Sequence, residues 1–589
     1  MEHLHLSENA LELLEARYLR RNRNGEVIET PEELFERVAS AVAEPELLRG
    51  TKTDFRQWRD AFFQIMTACD FLPNSPTLMN AGTAMNQLSA CYVLPVGDSI
   101  EDIFEAIKQM AMIQRSGGGT GFSFSQLRPK EDFLSSTGGK ASGPVSFMDI
   151  FNCATANIKQ GGKRRGANMG VLRVDHPDIL DFIRAKEQED AFANFNLSVL
   201  VDDAFMEAVK NGSDYDLRHP FDQRPVGRLN AGKVFRCIYL AAWKTGDPGL
   251  IFDDTANAGN PTPVLGKICA TNPCGEIPLL DYESCNLGSI NLVHMLGKEG
   301  KSIDWEKLKK TVSIGVRFLD NVIDAGQYPI RAIEKMTRGN RKIGLGVMGF
   351  ADMLIRLAIA YHSAEGVAMA SRLMEAVSQE AFRASNRLAE ERGVYPHWKN
   401  SVHQKKGLRV RNATLTAVAP TGSISIIAGA TPGIEPLFAL AYRRTNVLER
   451  RTFKEVNHWF RRYAEKSGLD PDRIIDRARE KGSLDALKEV PENLKRIFKT
   501  ALEIPPEGHL RIQEAFQRHV DNSVSKTINM AWDTSPEEIG DAYWRAWEMK
   551  LKGITVYRYG SKSAQVLETE GKNGPEESKP DDGCQKCAT

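Results

Sequence analysis

The chain has 589 residues, enough to bury a large core, and length alone sets a prior of roughly four domains. Its hydrophobic fraction of 42% and charged fraction of 26% are those of an ordinary soluble protein. Lys plus Arg and Asp plus Glu stand at 77 each, so the net charge calls for neither nucleic acid nor a membrane surface.

The amino terminus, "MEHLHLSENALELLEARY", carries acidic residues where a secretory leader would have a basic start and an apolar run. Asn24-Gly25, between short strand-like pieces, reads as a hairpin turn. Thr30-Pro31-Glu32-Glu33 then combines a capping box with proline at the first helical position, followed by the apolar stripe Leu34, Phe35, Val38 and Val42. Residues 1–70 are therefore expected to form a small helical N-terminal domain. From residue 71 to residue 560 short β-rich runs alternate with helical ones: "NMGVLRV" before "DILDFIRAK", "FNLSVLV" before "DAFMEAV", "ATLTAVA" before a glycine-containing turn. That alternation predicts an α/β architecture, sheet or barrel. The most apolar long stretch, "IGLGVMGFADMLIRLAIAY", is interrupted by Asp352 and Arg356 and makes a poor membrane span. "TSPEEIGDAYWRAWEMKLKG" predicts a capped helix ended by Gly553, with the strand "ITVYRY" after it. Residues 561–589 shift to Gly, Pro, Glu, Lys and Asp, the composition of a flexible tail, and end in "DDGCQKCAT". No internal repeat is visible. Nine dispersed cysteines, an odd number, do not resemble the disulfide framework of a secreted module. A reducing, cytoplasmic setting follows, in which a disulfide would be catalytic.

Chemistry concentrates in "NPCGEIPLLDYESCN". In extended backbone the side chains of Asn272, Cys274 and Glu276 share one face, with the outer Cα atoms about 13 Å apart. Only a bent segment lets all three grip one small substrate, and Gly275 permits the bend. The alternative is a buried cysteine in a polar loop. The tail ends in Cys584-x-x-Cys587, a dithiol on a tether suited to thiol–disulfide exchange. Half of a zinc site is the alternative, although the tail offers no further His or Cys. A dithiol needs an internal disulfide to reduce, and Cys285 and Cys91 are candidate members of one, provided their Cα atoms lie within about 7 Å.

Three loops suit phosphate or close backbone approach. "RSGGGTGFSF" holds Gly117, Gly118, Gly119 and Gly121; "APTGSIS" follows the strand "TLTAV" and offers hydroxyls and N–H groups; "QGGKRRGANMG" is cationic and glycine-rich. None ends as a Walker A loop does. "GLGVMG", Gly344 to Gly349, follows a weak strand and reads as close packing at a helix start.

Taken in order, Asn272-x-Cys274-x-Glu276, Cys91, Cys285, "PTGSIS" and the dithiol tail resemble the catalytic subunit of ribonucleotide reductase. The likeness runs from "ARYL…GEVIETPEELFERVA" to "KGITVYRYGS", nearly the whole chain before the tail. Class I members carry adjacent tyrosines near the carboxyl end, whereas here Tyr557 and Tyr559 are separated by Arg558; the glycyl-radical motif is not found either. The resemblance is thus to class II, the adenosylcobalamin-dependent enzymes. It implies a ten-stranded α/β barrel over residues 71–560 with a central finger loop, and a homodimer.

Residue by residue, the resemblance makes Cys274 the thiyl radical, Glu276 the acceptor of the 3′-hydroxyl proton and Asn272 its hydrogen-bonding neighbour. Cys91 and Cys285 would supply two electrons and close a disulfide that Cys584 and Cys587 reopen, with a thioredoxin-like reductant behind them. Ser75, Ser89, Ala90, Gly119, Pro273 and Gly275 match substrate contacts, and Pro420, Thr421, Gly422, Ser423 and Ile424 match the phosphate cradle. Asp98, Ser99, Ile100 and Arg128 match the region that binds a deoxynucleoside triphosphate effector, with Gly162 to Asn168 as the relay loop. His294 in "HMLG" resembles the cobalamin-ligating histidine of other enzymes, but Leu292 replaces the accompanying aspartate, so it reads as structural. No short motif marks the cobalamin pocket, and no metal ligands are assigned. The expected activity is reduction of ribonucleoside diphosphates, preferred over triphosphates as the commoner case among similar chains. The alternatives are a class I subunit needing a radical-generating partner and a non-catalytic nucleotide sensor on the same fold.

Overall fold

The computed structural model describes residues 4, 6–48, 50–134, 138–160, 164–188, 190–448, 451–561 and 567–568. Its first helices start where the sequence supplies caps. α1 (Glu8–Arg17) opens on Ser7, whose hydroxyl accepts a hydrogen bond from Ala10 N at 3.2 Å. α2 (Pro31–Ala43) carries the expected reciprocal box: Glu33 N donates to Thr30 Oγ1 at 3.2 Å and Thr30 N donates to Glu33 Oε2 at 2.7 Å. Its stripe of Leu34, Phe35, Val38 and Val42 is buried, packed with α3 (Lys52–Thr67). Arg21 and Val27 bridge antiparallel around Gly25 at φ 84°, the turn that Asn24-Gly25 predicts.

Ten strands then form one sheet: β1 (Phe71–Pro73), β2 (Cys91–Leu94), β3 (Gly119–Ser123), β4 (Asn168–Arg173), β5 (Phe195–Val201), β6 (Gly249–Phe252), β7 (Ser284–Asn291), β8 (Ile343–Met348), β9 (Thr527–Met530) and β10 (Gly553–Arg558). Their spatial order is β1-β7-β2-β3-β4-β5-β6-β10-β9, with β8 beside β7. Strands β2 to β6 run parallel to one another; β8 is parallel to β7 and β9 to β10. The two sets meet antiparallel at β7–β2 and at β6–β10. The bridges Leu345↔Thr416 and Val418↔Val524 link β8 through residues 414–418 towards β9 and close the barrel. The predicted strand "TLTAV" therefore contributes isolated bridges rather than a ladder. The architecture is the expected one, an α/β barrel with a helical N-terminal domain.

Side-chain alternation decides what faces where. On β2, Tyr92 and Leu94 point outward into the layer of helices that includes α4 (Ile100–Arg115), while Cys91 and Val93 point inward. The inner cluster adds Met169, Val171, Leu200, Ile251, Cys285 and Leu287 from other strands, and Ala270, Ile277 and Leu279 from a hairpin inside the barrel. That hairpin pairs Ala270–Thr271 with Pro278–Leu279 and is the expected finger. It presses so closely on β3 that a Cβ at Gly121 would lie 1.8 Å from Thr271 O.

A buried charge network ties the helical domain to the barrel. Glu46 Oε1 accepts from Arg317 Nε of α5 (Trp305–Ala325) at 2.9 Å and from Arg392 Nη2 of α6 (Ala364–Arg392) at 2.6 Å. Asn321 Nδ2 adds a bond at 2.9 Å. Such a network holds only if complete, because a buried charge left alone is costly.

Two further local expectations fail. Gly344 and Gly346 lie inside β8, not at a helix start, and a Cβ at Gly346 would lie 2.2 Å from Ala417 O, where residues 414–418 cross the strand. Only Gly349, at φ 77°, precedes a helix. The helix after Ser535, α8 (Pro536–Glu548), stops before Gly553, which instead opens β10; Lys550 takes the left-handed turn at φ 55°. Among the described residues no helix is long and apolar enough to cross a membrane.

Candidate active site

The finger bends where glycine allows it. Gly275, at φ 82°, donates from its N–H to Asn272 O at 3.0 Å and closes a tight turn. Asn272 holds the loop from inside: its Oδ1 accepts from Ile277 N at 2.9 Å, and its N–H donates to Ile277 O at 3.3 Å. From outside, Asn196 Nδ2 of β5 donates to Pro273 O at 2.7 Å, and Ser523 N donates to Glu276 O at 2.8 Å. A Cβ at Gly119 would meet the Pro273 ring at 3.0 Å, so bare backbone on β3 makes room for the tip.

On this fixed loop Cys274 is exposed, facing a cavity of about 430 Å³, while Asn272 and Glu276 are buried. Burial pushes the Glu276 carboxyl up to about 7, with the Asn272 side chain and the residue's own N–H pulling the other way. Its Oε2 has no hydrogen-bond partner. A carboxyl poised there is matched to proton exchange near neutral pH.

Cys91 and Cys285 stand opposite each other in the β2–β7 register, both buried and both thiols. Facing residues of antiparallel strands have Cα atoms about 4.5–5.5 Å apart, inside the range that a disulfide spans. Burial pushes the Cys91 thiol well up, and Glu276, Cys285 and Cys274 push it further, which places all four groups in one electrostatic neighbourhood. The Asn272 side chain opposes them with a hydrogen bond. Burial also raises Cys285, against the pull of Lys342. Protonated thiols are the forms that donate hydrogen.

The other sequence-derived residues fall into groups. Ser89 accepts from Ser284 Oγ at 3.3 Å, next to Ala90 and Cys91 on the approach to β2, and Ser75 shares a hydrogen bond of 2.8 Å with Tyr18 OH. The loop from Pro420 to Ile424 turns at Thr421, φ 55°, whose Oγ1 accepts from Gly433 N at 2.7 Å. Gly422 is exposed there, and Arg17 Nη1 of α1 reaches Ser423 Oγ at 3.3 Å. Asp98 and Arg128 form an ion pair at 2.6 Å beside Ser99, the N-cap of α4, and exposed Ile100. His294 contacts Asp70 at 3.2 Å. Cys584, Cys587 and residues 162–163 of the relay loop lie outside the described residues.

Sequence reasoning missed the far wall of the cavity. Lys526, wholly buried, donates to Glu435 Oε2 at 2.5 Å and to Thr527 O at 2.8 Å, and lies 2.9 Å from His509 Nδ1. Gln513 of α7 (Pro506–Gln517) spends Nε2 on Gly553 O at 3.0 Å and leaves Oε1 buried with no partner. Glu435, Lys526, Gln513, Asn529 and Tyr557 line the same cavity as Cys274. Only the tyrosine had a signal in sequence. Its neighbour Arg558 turns away, donating to Trp243 O at 3.0 Å. A second cavity of about 380 Å³ adjoins the first through Glu435, Phe438, Thr527 and Asn529, and Ser425 Oγ, also without a partner, lies on its wall.

Comparison with known proteins shows the family of the chain as a whole. A family described as "Ribonucleotide reductase, all-alpha domain" matches residues 4–86, and "Ribonucleotide reductase, barrel domain" matches residues 89–410 and 405–557. The chain is 47% identical to a protein of Thermoplasma acidophilum named "Vitamin B12-dependent ribonucleoside-diphosphate reductase", over 96% of this chain and 80% of that one. A protein of the same name from Mycobacterium tuberculosis is also 47% identical, over 96% and 81%. Among solved structures, the "Actinobacillus ureae class Id ribonucleotide reductase alpha subunit" superposes with a TM-score of 0.76, covering 94% of this chain and 97% of that chain at 24% identity, a likeness of fold.

Proposed function

We propose the reaction that follows from one premise: this chain belongs to the ribonucleotide reductase large-subunit family. It is an adenosylcobalamin-dependent oxidoreductase that converts ribonucleoside diphosphates to 2′-deoxyribonucleoside diphosphates, the precursors of DNA. The observation that carries the residue-level reading is the meeting of three thiols inside the barrel, Cys274 on the finger above Cys91 and Cys285 on facing strands.

When bound, the cofactor supplies a radical by homolysis of its cobalt–carbon bond. The two adjoining cavities fit it: the orphaned Gln513 carbonyl and Ser425 hydroxyl suit amide and nucleoside donors, and Tyr557 and Phe438 offer aromatic walls. Gln513, Asn529, Tyr557 and Phe438 would hold it.

Cys274, once its hydrogen atom is gone, takes the 3′ hydrogen of the ribose and returns it at the end. Glu276, held near neutrality by burial, accepts the 3′-hydroxyl proton, and Asn272 orients the same edge. Cys91 and Cys285 give up two protons and two electrons in all: one proton leaves with the 2′-hydroxyl as water, the other proton and both electrons complete the new C–H bond, and the sulfurs join. Cys584 and Cys587 reopen that bond, recharged by a thioredoxin-like reductant. Ser75, Ser89, Ala90, Gly119, Pro273 and Gly275 contact the nucleoside, and residues 420–424 take the phosphates. A deoxynucleoside triphosphate at Asp98, Ser99, Ile100 and Arg128 tunes substrate choice across a homodimer, in a cytoplasmic setting. Residues 1–70, 71–560 and 561–589 act as helical domain, catalytic barrel and redox tail.

Anaerobic incubation with a ribonucleoside diphosphate, adenosylcobalamin and a dithiol, without a second protein, tests the reading. Deoxynucleotide forms; product that needs a radical-generating partner subunit would contradict it.

A further inference from the structure

Across the inner face of the barrel, four residues stand in a row set by strand register. Gly119 of β3 pairs with Cys91 of β2, and Cys91 pairs with Cys285 of β7. The β7–β8 register begins at Asn286↔Ile343, so Lys342, one residue earlier, lies beside Cys285. One end of the row is bare, half-exposed backbone; the other is closed by a cation.

That cation is fixed. Lys342 is 2% exposed, and its Nζ lies 2.6 Å from Glu283 Oε2. Glu283 in turn accepts from Leu280 N at 2.7 Å and from Asn340 Nδ2. Nothing in the radical chemistry uses this pair. A buried ion pair adds little net stability over apolar residues of the same shape, so stability alone does not explain a lysine here.

Thiol–disulfide exchange does use such an arrangement. The attacking thiolate must approach in line with the sulfur–sulfur bond, and the departing sulfur takes the electron pair; a departing sulfur that bears charge easily leaves faster. In-line approach to Cys285 runs into Lys342. In-line approach to Cys91 comes over Gly119, where β3 presents no side chain and the neighbour is the Pro273 ring of the finger, 3.0 Å from where a Cβ would lie. The charges differ in the same sense: at Cys285, Lys342 favours the thiolate against Glu283 and Glu276, whereas at Cys91, Glu276, Cys285 and Cys274 all disfavour it.

We propose that Lys342 is a positioning residue that fixes the direction of re-reduction: an incoming thiolate attacks Sγ of Cys91, the Cys91–Cys285 bond breaks, and the electron pair departs on Sγ of Cys285 beside the Lys342 ammonium. The Cys285 thiolate then takes a proton. The second thiol of the same dithiol attacks the mixed disulfide, releasing Cys91 as a thiolate that is protonated in turn. The reductant loses two electrons and two protons, and both cysteines end as thiols. This rests on the reading that Cys91 and Cys285 form a disulfide in turnover.

The test uses full-length protein carrying Cys584→Ser and Cys587→Ser, oxidised by a single turnover with substrate and adenosylcobalamin. A non-reducing peptide map first establishes the Cys91–Cys285 bond; its absence would overturn the underlying reading together with the direction built on it. The oxidised protein is then exposed to limiting 2-mercaptoethanol, a monothiol with no second sulfur to resolve the mixed disulfide, quenched early with iodoacetamide and mapped again. The expected result is the mercaptoethanol adduct on Cys91 and the alkyl group on Cys285. Lys342→Met slows adduct formation about tenfold and blurs the preference, and Lys342→Arg restores both. With the disulfide present, an adduct on Cys285, an even mixture in the unsubstituted protein, or unchanged rate and preference in a folded Lys342→Met variant would overturn the direction alone. The map of the Lys342-containing protein decides the matter even if Lys342→Met fails to fold.

Discussion

Cys91 and Cys285 face each other across the antiparallel join between β2 and β7, with both thiols sealed from solvent. Antiparallel register sets a Cα spacing that a disulfide can span. Replacing either with Ser should leave the thermal midpoint within a few degrees but remove sustained turnover with a dithiol. Steady-state product assays beside melting curves check this; a Cys91→Ser variant that turns over normally would exclude the pair as electron donors.

Glu276 should govern the acid side of the pH profile. Its carboxyl sits near 7 because it is buried, so activity that needs the carboxylate rises as pH increases through about 7. Glu276→Gln should lower kcat by about 10²–10⁴-fold and flatten that limb.

The same carboxyl acts on stability with a definite sign. Its folded value lies above its unfolded value of 4.5, so its contribution is fully present below about 4.5 and lost as pH rises through about 7. Ionising it in the fold costs about 3 kcal/mol above neutrality. Glu276→Gln should therefore gain stability relative to the unsubstituted protein at pH 8 but not at pH 4.5, as denaturant midpoints at the two pH values would show.

Gly121 tests how tightly the finger is held. An alanine Cβ there lands 1.8 Å from Thr271 O, so the finger must shift. Gly121→Ala should lose about 1–3 kcal/mol of stability, the usual effect of overpacking. Activity should fall by about 10²-fold or more, since an ångström of misplacement is enough for that. Retained activity in the variant would mean that the finger is not held where β3 places it.

Buried Lys526 and half-buried Glu435 form an ion pair on the cavity wall. Lys526→Met alone should destabilise by about 1–3 kcal/mol, because the Glu435 carboxylate loses its charged partner and keeps its bond from Thr527 N. The double variant Lys526→Met with Glu435→Gln should recover much of that, in a double-mutant cycle read by denaturant titration.

Much of this molecule is legible in its sequence because the informative signals are local. The Thr30 box, the Asn24-Gly25 turn and the alternation of β-rich and helical runs each reside within a few residues, and each appears as expected. What fails is non-local. Gly344 and Gly346 carry helix-start spacing but serve a strand that another backbone crosses at Ala417. The turn after α8 falls on Lys550, so no glycine marks it. At the site, Asn272, Cys274 and Glu276 share a segment and could be read together. Lys342 beside Cys285, Lys526 on Glu435 and Gln513 on the cavity wall are joined only by strand register and packing, which one sequence does not display.

The account rests on a sulfur-centred radical at Cys274, and electron paramagnetic resonance tests it most directly. Protein, adenosylcobalamin, a ribonucleoside diphosphate and a dithiol are mixed without oxygen and frozen within the first turnovers. A spectrum of cobalt(II) coupled to a thiyl radical, absent from Cys274→Ser, is the predicted result. The same coupled signal persisting in Cys274→Ser would place the radical on another atom and contradict the account.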